Sequence, residues 1–357
     1  MDANSYVARI LRSEPALDVQ LAELVVLVLI IKAALVLCGK LVRAVARGKP
    51  YLQRAISITK TSLKVSMGID ADEAFALYFW EFSWGLGLQH AVGGLLCVPL
   101  LCPWRFVSRE TGLILARHGA LCEVAWEVGD VVERVCQVCF GGESGRRTNP
   151  PRLLVLLAIH HSMSMGLVIP MNLVFPECEA YFQLVFLLQG AAAVALLSQQ
   201  YSCTLDIERP SELAQMFWLT FFNFCVMTLS RVILYVPVVY QILRVYADEG
   251  RWGFLAGGVT VGCFLMPVIG AIFVSDMLRR LCKFGARYFL KPPRPSAIGS
   301  ASSRVCPGEK VTRATSMPSI ISGTSSRACS GEKVCTPTGA ASKLSAASRR
   351  RVRYEVI

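Results

Sequence analysis

Charge is scarce in this chain. Of 357 residues, 17% are charged and 54% are hydrophobic, whereas soluble domains carry about 25% charge. The deficit is concentrated in several long runs with few charges. That excludes an ordinary soluble globular protein and points to a polytopic membrane protein. The runs are much longer than a strand, so they are expected to be helices, the form that satisfies its own backbone in lipid. Histidine is also scarce, with four in the chain, and none sits in a His-x-x-x-His arrangement. A histidine-box di-iron enzyme is thereby excluded. There is no P-loop, no nucleotide fingerprint and no serine nucleophile elbow. No cleavable signal peptide is read at the start. The first apolar stretch, Leu24 to Cys38, follows Asp18 and Glu23, contains Lys32 and leads to no small-residue cleavage site. The fourteen cysteines are scattered through the apolar runs and do not resemble a secreted disulfide framework.

What the chain does contain is an order of apolar spans. They are read at about 21–42, 74–102, 111–140, 153–175, 181–201, 213–245 and 254–278, which gives about seven transmembrane helices. Lys32 lies in the middle of the first, where it must snorkel or face a bundle. Residues 1–20 form a short N-terminus. Residues 21–69 hold the first helix and a segment with seven basic residues and no acid between Lys40 and Lys64. The helical bundle is expected over 70–290. Residues 291–357 form a basic, Ser/Ala-rich tail read as disordered. The net charge is +12, and twelve Lys/Arg against three Asp/Glu in that tail account for +9 of it. The tail holds a single aromatic, Tyr354, so its expected partner is an anionic lipid headgroup surface rather than nucleic acid. It contains a duplicated phrase, Ser302–Val311 recurring as Ser325–Val334. The positive-inside rule places the N-terminus outside and the C-terminus in the cytoplasm.

Polar residues inside the spans mark the candidate site. His160 and His161 are adjacent in the fourth apolar run. Ser164 and Asn172 share the His161 face, while His160 is rotated by about 100°. The two rings therefore cannot meet one small group equally. In the third span Glu123, Glu127, Asp130 and Arg134 follow a 4-3-4 spacing and lie along one face. Such a stripe must face the bundle or water. Glu133 lies off that stripe, and His118 lies nearly opposite it. Asn223 and Arg231 are the notable polar groups of the sixth span. Arg231 is expected either to clamp an anion or to pair with the acidic stripe, and the second reading is favoured. Glu81 and His90, nine residues apart, are expected to serve different sites. Cys136-Gln137-Val138-Cys139 is a lone CxxC and a weak metal signal. Gly141–Pro151 is read as a loop. No resident metal is expected.

The ordered phrases are similar to a known pattern. Leu156-Leu157-Ala158-Ile159-His160-His161, preceded by an acidic helix (Glu123 to Asp130), leads through one span to Ser230-Arg231-Val232-Ile233-Leu234-Tyr235-Val236-Pro237. This resembles the TLC-domain family of ceramide synthases, translocating-chain-associated membrane proteins and neuronal lipofuscinosis-linked endoplasmic reticulum proteins. The resemblance covers about residues 70–285. It implies a six-helix bundle preceded by one N-terminal helix, an endoplasmic reticulum or other endomembrane location, and lipid handling. In ceramide synthases it implies an acyl-CoA-dependent N-acyltransferase with a histidine pair and two downstream aspartates. His160 and His161 match the pair. Where the aspartates are expected, the chain reads Gln189-Gly190-Ala191-Ala192-Ala193. That departure favours a protein that binds, senses or handles a lipid in an intramembrane cavity. The alternative is an N-acyltransferase in which His160 or His161 is catalytic, Glu123, Glu127 or Asp130 supplies the countercharge, and acyl-CoA is the co-substrate. No other cofactor is expected. A homodimer is an allowed assembly. A seven-helix receptor is a remote alternative, because its usual triplet after the third span and its Asn-Pro-x-x-Tyr motif are absent.

Overall fold

The computed structural model describes residues 3–104 and 107–290. The tail, with its duplicated phrase and its proposed disorder and headgroup contacts, lies outside the described residues. The described residues form helices and no strand. In chain order these are α1 (Ala3–Leu11), α2 (Leu17–Ala46), α3 (Tyr51–Ser62), α4 (Glu73–Leu95), α5 (Val98–Leu101), α6 (Arg109–Phe140), α7 (Gly142–Thr148), α8 (Pro151–Val174), α9 (Glu179–Ser202), α10 (Pro210–Thr228), α11 (Tyr235–Asp248), α12 (Trp252–Gly258) and α13 (Met266–Leu290). Wider π-helical turns at Leu63–Met67, Leu229–Ile233 and Val259–Leu265 follow α3, join α10 to α11, and join α12 to α13.

Six helical stretches are long and apolar enough to cross a membrane: Leu17–Ala46, Glu73–Leu101, Pro151–Val174, Glu179–Ser202, Pro210–Asp248 and Trp252–Leu290. The chain is an all-helical, polytopic integral membrane protein. Its outward surfaces agree with that. On α2, Val25, Leu29, Val36 and Leu37 are more than half exposed, as are Val268 and Ile272 on α13. In water such faces would be a liability, and in a bilayer they meet their proper solvent. Local signals set the helix starts. The Asp72 side chain accepts from the Phe75 amide at 2.8 Å, and Ser108 Oγ accepts from the Thr111 amide at 3.1 Å. Pro151 occupies the first turn of α8, where its missing N–H costs nothing.

The seventh long helix, α6, spans 32 residues but carries Glu123, Glu127, Asp130, Glu133 and Arg134. Its buried residues lie between Gly112 and Asp130, where α2, α4, α5, α8 and α9 pack against it, while the turns beyond Asp130 are more open. About seven spans were expected, and α6 is the one that is not apolar enough to count among the six; burial of its acids against neighbours is what a charged helix beside membrane spans requires. Small residues bring the neighbours close. A Cβ at Gly119 would lie 2.5 Å from the Gly93 carbonyl oxygen, so α4 and α6 touch backbone to backbone. Gln189 of α9 bridges that crossing, its Nε2 donating to the Gly119 carbonyl at 3.0 Å.

One expectation is corrected. The stretch 141–151 is not simply a loop, because α7 forms within it. Asn149 stabilises that turn by donating to the Gly145 carbonyl at 2.9 Å. The basic segment after the first span is also mostly helical, through the end of α2 and α3. Lys32 faces the bundle and pairs with Glu133, the off-stripe acid.

Candidate functional site

The site is built on one face of α6. Each acid of the stripe meets a histidine. His90 of α4 places Nδ1 2.8 Å from Glu123 Oε2. His161 of α8 places Nε2 3.1 Å from Asp130 Oδ2 and Nδ1 3.5 Å from Glu127 Oε1. His160 Nε2 lies 3.9 Å from that same Glu127 oxygen. The last histidine, His118, lies on the opposite side of α6 and meets Glu23 of α2 at 2.5 Å, with Ser13 Oγ donating to the other Glu23 oxygen at 2.8 Å. All four histidines of the chain therefore face a carboxylate. In apolar surroundings a buried acid needs such a partner, because an uncompensated charge there costs several kcal/mol, on the order of 3–5 when a pair is broken.

Asp130 is the best-tied member. It accepts from Arg134 Nε at 2.7 Å as well as facing His161. Arg134 continues to Asn149 Oδ1 at 2.9 Å, and Asn149 Nδ2 donates to Gln137 Oε1 at 2.8 Å. Trp126 meets the His161 ring edge-on at 5.9 Å. The ring is thus flanked by Asp130 and Trp126. Glu127 contrasts with it: it is fully buried, yet neither carboxylate oxygen has a hydrogen-bond partner, and His161 Nδ1 has none either.

The two rings of the pair have different surroundings. His161 is 3% exposed and borders a shallow apolar hollow of about 270 Å3 between α6 and α8. The His160 side chain is 56% exposed and lines a different cavity of about 180 Å3 between α8, α9, α11 and the α12–α13 turn. That second cavity is amphipathic. Its polar lining comes from His90, Glu123, His160, Ser164, Gln189 and Arg231; the rest is mainly Leu, Val, Ile, Met and Tyr side chains. His160 is within electrostatic reach of Glu123, His90 and Arg231, which gathers the charges near one another.

The π-helical turns shape this cavity. Arg231 sits in the Leu229–Ile233 turn, and Val261 and Gly262 in the Val259–Leu265 turn. An extra residue per turn redirects side chains and recurs at functional positions in helices. Arg231 Nη2 donates to the Leu188 carbonyl at 3.4 Å, while its buried Nε has no partner. The favoured expectation that Arg231 would pair with the acidic stripe is corrected: among the described residues it forms no ion pair, and Glu123, though within electrostatic reach of it, stands beside His90 instead.

The remaining sequence-selected residues lie elsewhere. Glu127, Asp130 and His161 form the network behind the cavity. Asn172 and Asn223 are buried and do not line the cavity. Cys136 and Cys139 are both exposed free thiols. Three contributors had not been assigned to the site: His90, Gln189 and Asn149. His90 was visible only as a polar residue at mid-span, at the depth where Glu123 also falls.

Comparison with protein-family models, curated proteins and solved structures finds no match to this chain.

Proposed function

We propose that the chain binds a membrane lipid in the amphipathic cavity between α8, α9 and α11. The observation that carries this reading is the pairing of an apolar trough with Arg231, a cation that forms no ion pair among the described residues. An anionic headgroup oxygen would supply it, with His160 and Ser164 as further polar contacts. The acyl chain would lie against Leu184, Leu188, Val239 and Leu243. The cavity is smaller than the roughly 300–1,000 Å3 of sites that enclose a drug-sized ligand. It suits one chain with part of a headgroup, the remainder of the lipid lying between helices. A charge-assisted contact contributes about 1.5–3 kcal/mol. Arg231→Met should therefore weaken retention of an anionic lipid roughly 10- to 100-fold, with Arg231→Lys in between. Equal retention by wild type and Arg231→Met would refute the headgroup assignment.

In this proposal the chain is a divergent relative of the TLC domain, in an endoplasmic reticulum or other endomembrane, with its C-terminus in the cytoplasm. A protease-protection test of an N-terminal tag reads the orientation; a cytoplasmic N-terminus overturns it.

One observation favours acyl-CoA-dependent N-acyl transfer as a second reading. Asp130 and Glu127 stand beside His161, so α6 offers carboxylates that 189–193 lack. A carboxylate that orients an imidazole makes it a better base. The ring that would reach substrate is His160, which lines the cavity and has Glu127 Oε1 3.9 Å from its Nε2. Amide product from an acyl-CoA and a long-chain amine, abolished by His160→Ala, would support it. No product across a panel of amines would sink it.

A further inference from the structure

We infer that Glu127, His160 and His161 form a binding site for one divalent transition-metal ion of the zinc class. One ligand atom from each of the three residues falls within a sphere of mutual separations no greater than 4.8 Å. The two separations to Glu127 Oε1 are 3.5 Å from His161 Nδ1 and 3.9 Å from His160 Nε2. Both are longer than the roughly 2.7–3.2 Å of a well-formed hydrogen bond. A tetrahedral ion with bonds of about 2.0–2.1 Å places its ligands about 3.3–3.4 Å apart, so both edges need only a few tenths of an ångström. The wider His160–His161 edge would have to close by rotation of the His160 ring, which is half exposed.

A second observation points to the same place. Glu127 is 0% exposed, and both its oxygens and His161 Nδ1 are buried without hydrogen-bond partners. Orphaned buried polar atoms are rare in folded proteins and call for a partner. Here two of them, Glu127 Oε1 and His161 Nδ1, lie 3.5 Å apart. The surrounding shell also suits an ion. His161 turns its other nitrogen, Nε2, to Asp130 at 3.1 Å, and Asp130 is fixed by Arg134. A carboxylate holding the distal nitrogen of a metal-bound imidazole fixes its tautomer and raises its basicity. Two imidazoles and one carboxylate suit zinc. Three protein ligands leave a fourth position, and His160 borders the amphipathic cavity, so water or a headgroup oxygen would complete the shell from there. The metal site does not depend on the lipid assignment.

The test uses full-length protein purified in detergent through a tag free of histidine. It is stripped with a chelator, incubated with Zn(II), desalted and assayed for metal by plasma mass spectrometry. Wild type should retain about one zinc per chain, the stoichiometry of a single structural or catalytic site. Co(II) in its place should give the intense visible bands of a four-coordinate ion. His160→Ala removes a ligand that is half exposed, so it tests the site without emptying the core. It and Glu127→Gln should each lose stoichiometric zinc and the cobalt bands. His118→Gln, whose ring is fully occupied by Glu23 and the Leu11 carbonyl, should keep both. Asp130→Asn should keep the stoichiometry and weaken affinity about 10- to 100-fold. Failure of monodisperse wild type to retain zinc, or equal retention by monodisperse His160→Ala, would overturn the assignment. Lipid retention measured on the same samples separates failure of the metal site from failure of the lipid reading.

Discussion

Removing the Asp130 side chain should be the most damaging small change in the α6 network. The carboxylate is 5% exposed, accepts from Arg134 at 2.7 Å and faces His161 at 3.1 Å. Asp130→Ala leaves a guanidinium and an imidazole without their main partner. Breaking a buried pair from one side costs about 3–5 kcal/mol. Arg134 keeps its contact with Asn149 and its side chain is 21% exposed, so the lower end applies. Each kcal/mol moves the midpoint by about 2–4 °C in a domain of 150–250 residues, and ~3 kcal/mol becomes a fall of roughly 6–12 °C. The double variant Asp130→Ala/Arg134→Met should recover part of the loss, because no cation is then stranded; coupling within such a network is about 0.5–3 kcal/mol. Thermal scanning of detergent-purified protein, with wild type and variants heated at one rate, reads the shift. A midpoint for Asp130→Ala indistinguishable from wild type would refute the buried-network reasoning, as would a double variant less stable than the single by the full cost of Arg134→Met alone.

Other changes test the packing and the thiols. Gly119→Ala would push a Cβ to 2.5 Å from the Gly93 carbonyl oxygen, where only backbone movement relieves it. It should lower the midpoint sharply or reduce the yield of monodisperse protein. Gly166→Ala meets nothing within 4 Å and should raise stability slightly, by up to about 1 kcal/mol, through helix propensity. The same midpoint for both variants would contradict the α4–α6 crossing. Burial pushes the Cys203 thiol up to about 11. At pH 7.5 it should resist a water-soluble maleimide until the protein is unfolded, as peptide mass spectrometry would show; rapid labelling of folded protein would count against its burial.

Much of this architecture can be read from the residues alone, for physical reasons. Apolar runs of bridging length must be helices in lipid, so the long helices fall close to their expected ranges. The 4-3-4 spacing of Glu123, Glu127, Asp130 and Arg134 fixes their common face, because helix geometry is local. The 100° step between His160 and His161 foretells unequal surroundings, but which ring is buried depends on how α8 rolls against α6. Arg231 was misread for a similar reason. Spacing shows that it shares a bundle with the acids, yet it is His90, on neighbouring α4, that stands against Glu123. The π-helical turn that redirects Arg231 has no simple signature. Nor did α7, since Gly, Asn and Pro in GGESGRRTNPP read as turn formers and its anchor, Asn149, works through side-chain contacts.

The central claim is that the α8–α9–α11 cavity holds a lipid with an anionic headgroup, and native mass spectrometry of protein released from mild detergent tests it most directly. Wild type should carry about one tightly held anionic lipid, as one cavity of this kind allows. Ala192→Trp, which fills the cavity from α9, should lose that lipid while remaining monodisperse. Bare wild-type protein, or the same lipid retained by Ala192→Trp, would contradict the account.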